Sequence, residues 1–427
     1  MRVLWITNIP IAKHCEVTKT PQMTGGWMTA ALEMLKGNNS IEICIATTWP
    51  VKKKTVIKEL NINYALLPGG YPIKYNPNKK SNVEEWKQLV SQFNPDIIQI
   101  WGTEFAHSLG CIRHIKEVPI IVYIQGIMSQ LAKEYLAGMN IKELQKAISL
   151  RDILKRDSIK QQQKKFYKRA INEKEILILS KGVIIENIWA KIHCLAINPD
   201  LNIYTSQLPI NKVFYNSKWE YQEIEKYSIM CNASGYPIKG LHILLRALFL
   251  IKKKYPEAKL KIPGPRMIIK PTIKQRIFNT GYLNYLADII KKLDLEENLS
   301  FLGELTPEQM AANMKKSHVF VVPSALENHS STLREAMIIG TPSITSFVGG
   351  VPEIITNGKN AFIYRFEEYE IIAHYVSEIF SSRRLAETIS KNGIKSMREN
   401  HDPKLLNNDF INIYNAILEK ASLNKPC

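Results

Sequence analysis

Apolar residues fall along this chain in two alternating patterns. Short, nearly continuous apolar runs at 3–7, 41–47, 62–67, 97–101, 119–124 and 182–186 predict strands buried on both faces, as in a parallel sheet. Between them lie stretches of helical spacing. One covers 27–36, with Thr24 as its N-cap. Another covers 82–93, where Val83, Trp86, Leu89 and Val90 share one face. Asn94-Pro95-Asp96 ends that helix before the next strand. The alternation predicts a doubly wound α/β domain. Ligands of such sheets bind outside the carboxyl ends of the strands. The loops 8–26, 102–104 and 125–129 are therefore expected to face one cleft.

The pattern weakens over 204–220 and then restarts. Strands are predicted at 227–233, 259–262, 299–302, 318–323 and 341–346, and helices at 239–253, 282–293, 307–315 and 330–340. The expected organisation is a first Rossmann-like domain at 1–208, a second at 209–402, and a tail at 403–427. The tail carries a helix over 405–418 that packs back towards the first domain. The segment 151–174 departs from the pattern. It holds nine Lys and Arg, from Arg151 to Lys174, against few acids. It predicts one long, basic, exposed helix.

Composition narrows the function. The 427 residues leave room for two proper cores. With 45% hydrophobic and 22% charged residues, the chain is neither disordered, coiled coil nor disulfide scaffold. A net charge of +18 draws anionic partners: nucleic acid, acidic lipid or phosphorylated substrates. No helix-turn-helix, zinc finger or aromatic RNA-binding strand is present, which sets nucleic acid aside. Cys15, Cys44, Cys111, Cys194, Cys231 and Cys427 show neither C-x-x-C nor zinc-ligand spacing, so free thiols in a reducing compartment are expected. The N-terminus predicts a strand rather than a signal peptide. The apolar stretches at 118–127 and 241–251 are shorter than the roughly 18–20 residues of a spanning helix. A cytoplasmic protein, peripheral at an inner membrane face, is expected.

The chemistry is densest over 317–355. A strand ends at Pro323, Glu327 follows in a loop, and Ser330, Ser331 and Thr332 open a helix. Glu335 lies eight positions after Glu327, and Gly349-Gly350 make a second turn. The amides at a helix start, at the positive end of its dipole, bind diphosphate. A carboxylate accepts hydrogen bonds from two vicinal hydroxyls. At about 1.5 Å per residue, eight helical residues span about 12 Å. That suits two contacts along an extended ligand better than a glycosidase pair about 5–9.5 Å apart.

This region resembles the E-x7-E stretch of the retaining glycosyltransferases of family 4, the group 1 transferases. Ser234-Gly235-Tyr236-Pro237-Ile238-Lys239-Gly240 resembles that family's phosphate loop, and Phe301-Leu302-Gly303 its strand before the base site. Gly25-Gly26, Trp101-Gly102-Thr103-Glu104 and Ile124-Gln125-Gly126 extend the likeness into the first half. The resemblance implies the GT-B fold, two Rossmann-like doubly wound α/β domains facing each other across a cleft. It also implies roles. Glu335 would bind the ribose and Glu327 the donor sugar hydroxyls. Backbone groups of His329 and Ser330 would face the sugar, and those of Ser331 and Thr332 the diphosphate. Lys239 would neutralise the leaving diphosphate. Leu305 would lie near the base, and Gly25, Gly26, Ser234 and Gly264 would complete the donor site.

Two positions depart from the family. Ser234 stands where an Arg is common, so either another basic residue, with Arg266 as candidate, replaces that cation or donor binding differs, and Gln125 stands where a His is common. Gln125 is expected to position a sugar or acceptor. No D-x-D is present; Asp294-Leu295-Glu296 is the nearest stretch. Lys239 and helix N-termini are expected to replace a metal. His107, His114, His193, His242 and His318 are read as structural or exposed. The implied activity is retaining, metal-independent transfer of a hexosyl sugar from a nucleotide-diphosphate sugar, with no further cofactor. The acceptor would be a saccharide or lipid-linked saccharide in surface polysaccharide biosynthesis, with 151–174 meeting an acidic membrane. Two alternatives stay open: a GT-B relative with other chemistry, or a catalytically silent nucleotide-sugar-binding protein.

Overall fold

The structure, a computed structural model, describes residues 1–20, 26–233, 235–264 and 270–423. The chain forms two compact units. One comprises Met1–Ser129, Tyr167–Pro209 and the chain from His401 onward; the other comprises Gln130–Phe166 and Ile210–Asn400.

The first unit is built on an eight-stranded sheet. Its strands are β1 (Arg2–Ile6), β2 (Glu42–Thr48), β3 (Thr55–Glu59), β4 (Ile62–Leu67), β5 (Ile97–Trp101), β6 (Ile120–Tyr123), β7 (Gly182–Ile185) and β8 (Asn202–Thr205). Their order is β3-β4-β2-β1-β5-β6-β7-β8, parallel except for the antiparallel β3–β4 pair. The two edge strands are not among those predicted. β3 alternates half-buried and exposed residues and β8 is only partly buried. Neither carries the unbroken apolar run of a strand covered on both faces.

Alternate residues of β1 feed two cores. Leu4 and Ile6 pack with Trp86 and Leu89 of the helix Lys80–Phe93. Val3 and Trp5 pack with Met28 and Leu32 of the helix Gly26–Leu35 and with Phe410 and Tyr414 of the C-terminal helix Pro403–Leu423. The last helix of the chain thus completes the core around its first strand. Phe410 stacks over Trp101 and Tyr123, with ring centroids 6.4 and 6.0 Å away. The Tyr414 hydroxyl accepts a hydrogen bond from Trp5 Nε1 at 3.1 Å and donates one to Gln99 Oε1 at 2.6 Å.

The second unit carries a six-stranded, wholly parallel sheet: β9 (Glu225–Cys231), β10 (Lys259–Pro263), β11 (Leu299–Gly303), β12 (Ser317–Val322), β13 (Ser343–Ser346) and β14 (Phe362–Tyr364). The order is β11-β10-β9-β12-β13-β14. The three-residue β14 is too short for a periodic signal. The helix expected from 239 begins instead at Leu241. A 3₁₀ turn over Pro237–Lys239 and the left-handed Gly240 precede it.

The segment 151–174 is not one helix. A short helix, Leu150–Lys155, stops at Arg156 in the left-handed conformation (φ 49°), and a second runs over Ile159–Leu179. Acidic residues hold the two pieces in place. Asp152 forms a capping box with Ser149 and accepts the Gly281 N–H at 2.6 Å. Asp157 draws in Arg151 at 3.3 Å and Lys165 at 2.6 Å. Part of the predicted basic face is therefore neutralised within the segment.

Residues 130–166 also group with the second unit rather than with the rest of 1–208. The Gly281 contact, the Glu143–Arg246 ion pair and a 2.9 Å hydrogen bond between His242 Nε2 and the Ala137 carbonyl hold them there. A Cβ at Gly281 would overlap the Ala147 carbonyl, so only glycine admits this close approach.

Cys15, Cys44, Cys111, Cys194 and Cys231 are buried and unpaired, and Cys427 lies outside the described residues. Among the described residues no helix is long and apolar enough to cross a membrane.

Tyr414→Phe is expected to strand Trp5 Nε1 and Gln99 Oε1 in the core and destabilise the protein by about 1–3 kcal/mol. Denaturant unfolding would read this as a lower midpoint at an unchanged slope.

Candidate functional site

The candidate site of the second unit lies at the carboxyl ends of β9 and β12. Beyond Val322 the chain enters the loop from Pro323 to Ser330, and two glycines clamp that loop. Gly240 (φ 71°) is so close that a Cβ would overlap the Pro323 carbonyl oxygen, and Gly349 (φ 54°) stands in the same relation to the Glu327 carbonyl. Neither conformation nor approach admits a side chain. The Gly350 N–H closes the clamp, donating to the carbonyls of Glu327 at 3.3 Å and Asn328 at 3.1 Å.

This clamp sets the Glu327 side chain among donors from separate loops. Its Oε1 accepts from Lys239 Nζ at 2.6 Å and Ser324 Oγ at 2.6 Å, with Asn232 Nδ2 at 3.5 Å. Glu327 is only 12% exposed and Lys239 34%. Charge-assisted bonds in so sheltered a place are strong, and removing the cation would leave a sheltered charge unpaired. The sequence singled out neither Asn232, just past β9, nor Ser324. Ser324 offered a signal, a hydroxyl three residues before the carboxylate in the same strand-end loop.

The helix Ser331–Ile339 starts after Ser330, whose own side chain makes no capping hydrogen bond. Its first amides face outward at the positive end of the helix dipole. Arg334 is fully buried beneath this turn, with Nη2 3.4 Å from both the His329 carbonyl and Ser331 Oγ. His329 and Ser330 are buried, while Ser331 and Thr332 are half-buried. Glu335, one turn on, is half-buried, and no described residue makes a hydrogen bond or ion pair with its carboxyl. Loss of water around it pushes its pKa up to about 8, against a smaller pull from the Arg334 charge.

Other predicted residues fall as follows. The Gly264 N–H donates to the Gly303 carbonyl at 2.7 Å, tying the ends of β10 and β11, and Leu305 is half-buried just beyond. Gly26 opens its helix in the first unit and is exposed. Thr24, Gly25, Ser234 and Arg266 lie outside the described residues.

In the first unit the loops after β1, β5 and β6 meet. Gly102 (φ 84°) is surrounded so closely that a Cβ would run into Glu104 Oε2 and Asn8 Nδ2 and lie 3.2 Å from Gln125 Oε1. Asn8, Glu104 and Gln125 therefore converge. Burial pushes the Glu104 carboxyl up, while its own amide, Asn8 and Arg169 pull it back. Glu173, missed by the sequence reading, supports this cluster from below. It is buried and accepts from Met128 N at 2.6 Å, Ser129 N at 3.1 Å and Thr103 Oγ1 at 3.2 Å. It pins the start of the chain after Gln125. Its signal was to be one of the few acids in a basic segment.

Burial lowers His107, His242 and His318 to about 4, so each is neutral and structural at physiological pH. Among the described residues no group of three or more His, Cys, Asp or Glu converges as metal ligands.

Two doubly wound sheets of this kind define the GT-B class, and solved structures share the fold. Sucrose-phosphate synthase from Thermosynechococcus elongatus matches with TM-score 0.71 and 15% identity over 98% of this chain and 99% of that one. Anabaena HepE in complex with UDP-glucose matches with TM-score 0.67 and 15% identity over 99% of each chain. Residues 216–396 match the model of the family described as Glycosyl transferases group 1. An uncharacterized glycosyltransferase of Methanocaldococcus jannaschii is 26% identical over 226 residues, 52% of this chain and 53% of that protein. The chain spans about half the length, or less, of the curated relatives it matches.

The raised Glu335 pKa yields a stability test. Between the ordinary carboxyl value of 4.5 and about 8, the folded protein keeps a proton that the unfolded chain has shed. Stability therefore falls as pH rises through that window. Glu335→Gln removes the titration. Its melting temperature is expected to match wild type near pH 5 and to exceed it by roughly a few °C at pH 8.5.

Proposed function

We propose that this chain is a retaining glycosyltransferase whose second unit holds a nucleotide-diphosphate sugar. The observation that carries the assignment is the convergence on Glu327 of Lys239, Ser324 and Asn232, next to a helix start that the Ser330 side chain does not cap. A sugar hydroxyl pair suits the sheltered Glu327 carboxylate. A diphosphate suits the amides of Ser331 and Thr332, with Lys239 as the mobile cation. A ribose suits Glu335, whose carboxyl has no partner among the described residues. Ligand hydroxyls would supply the hydrogen bonds that burial denies it. The match of residues 216–396 to the group 1 family model and the UDP-glucose complex of the structurally similar HepE support a nucleotide-sugar donor.

Chemistry follows from the charges. As the bond from sugar C1 to the phosphate oxygen breaks, negative charge grows on the diphosphate. Lys239 and the helix dipole stabilise it without reorganisation. The acceptor hydroxyl bonds to C1 on the face the diphosphate leaves, and its proton passes to a phosphate oxygen of the leaving group. No base on the protein is needed. That agrees with a Gln at position 125, which can orient a sugar hydroxyl but cannot take its proton. In the free protein Lys239 is paired with Glu327, so the donor must exchange that partner for its own phosphate. The acceptor we propose is a saccharide or lipid-linked saccharide, as in surface polysaccharide assembly.

A thermal-shift panel of nucleotide sugars tests the donor. The cognate compound at 100 times its Kd is expected to add about 2.7 kcal/mol of stability. Lys239→Ala and Glu327→Ala are each expected to lower transfer by roughly 10²–10³-fold or more with the fold retained. Stabilisation without turnover would mark a silent nucleotide-sugar-binding protein instead. Full activity in both variants would contradict the site.

A further inference from the structure

Away from the donor residues, the second unit presents a surface of unusual composition. The short helix Leu150–Lys155 turns Leu150, Ile153 and Leu154 outward at spacing i, i+3, i+4, so that they share one face. They are 51%, 62% and 76% exposed. Ile141, on the preceding helix Ile141–Lys146, is equally bare. Helix Ile273–Phe278 packs against Leu150–Lys155 and exposes Ile273 and Phe278. Six large apolar side chains in water on three short helices exceed the scattered singles of an ordinary surface.

The charge around them has one sign. Lys142, Lys146, Lys155, Arg156, Lys160 and Lys274 are exposed, and none of them makes an ion pair with a described residue. The acids nearby are spent inward or on other cations. Asp152 binds the Gly281 amide, Asp157 holds Arg151 and Lys165, Glu143 holds Arg246, and Asp288 holds Arg276.

We infer that this surface docks on an acidic lipid membrane: the apolar tips enter the headgroup boundary and the unpaired cations of the same helices and their flanks meet the lipid phosphates. Neither term alone suffices. A few aliphatic side chains bind weakly and reversibly, and cations act only within about a Debye length, so the two together give stable attachment. A soluble protein partner of opposite charge would not require bare aliphatic tips. A second copy of this chain would bring like charges face to face. The inference moves the membrane contact expected from 151–174 to 141–160 and 273–278. It adds the apolar component that charge counting did not contain. It shares no residue with the donor site, so each can fail without the other.

Flotation of the full chain with vesicles is the test. Vesicles of phosphatidylcholine with about one third phosphatidylglycerol are expected to carry the protein, and pure phosphatidylcholine vesicles at least tenfold less. Ile153→Asp/Leu154→Asp and Lys155→Glu/Arg156→Glu are each expected to reduce binding at least tenfold. An unchanged circular dichroism spectrum and melting transition would show that both variants are folded. Failure of the wild type to float with acidic vesicles, or normal flotation of both variants, would overturn the inference. So would a wild-type oligomer in sedimentation velocity that the same variants convert to monomer, since the face would then pair copies of the chain.

Discussion

The second unit depends on the absence of two side chains. At Gly240 and Gly349 the backbone is left-handed, and the carbonyls of Pro323 and Glu327 occupy the space of a Cβ. These contacts press the loop after β12 between two turns that lead out of neighbouring strands. Glu327 is consequently positioned by main chain rather than by its own rotamer preferences. Donors from three places, Asn232, Lys239 and Ser324, can then meet one oxygen. A group held by rigid surroundings is pre-organised for a ligand, which loops alone rarely achieve.

The same region departs from the rules that stabilise the rest of the fold. A helix begins without a capping bond from the Ser330 side chain. A guanidinium is buried beneath it. A carboxyl sits where burial raises its pKa to about 8. A cation is committed to a sheltered carboxylate. Each is a local departure of the sort tolerated where a ligand supplies what folding leaves unmet. Three other helices of the unit follow the rules. Thr272, Thr280 and Thr306 cap theirs with side-chain oxygens, whereas the helices after Gly240, Ser330 and Glu368 start without one.

The central strands were legible because burial on both faces leaves an unbroken apolar run, as in β1, β5 and β12. The edges β3 and β8 were not, since one solvated side removes that run. The proposed donor residues Glu327, Lys239 and Glu335 were legible because their chemistry is carried by residue type and spacing. Their supports were less so. Nothing local to Glu173 shows that Met128 and Ser129 will offer it two amides, because that contact spans about 45 residues. The segment 151–174 was misread for a related reason. Counting Lys and Arg says nothing about which of them Asp157 will neutralise, or that Asp152 will turn inward to a glycine amide far along the chain. The exposed Leu150, Ile153 and Leu154 were invisible to charge counting altogether.

The most direct test of the donor site is the structure of the chain with a nucleotide-diphosphate sugar bound. The account predicts diphosphate oxygens on the amides of Ser331 and Thr332, Lys239 Nζ moved from Glu327 to a phosphate, ribose hydroxyls on Glu335 and sugar hydroxyls on Glu327. A donor bound elsewhere, or one that leaves the Lys239–Glu327 pair and the Glu335 carboxyl untouched, would contradict it.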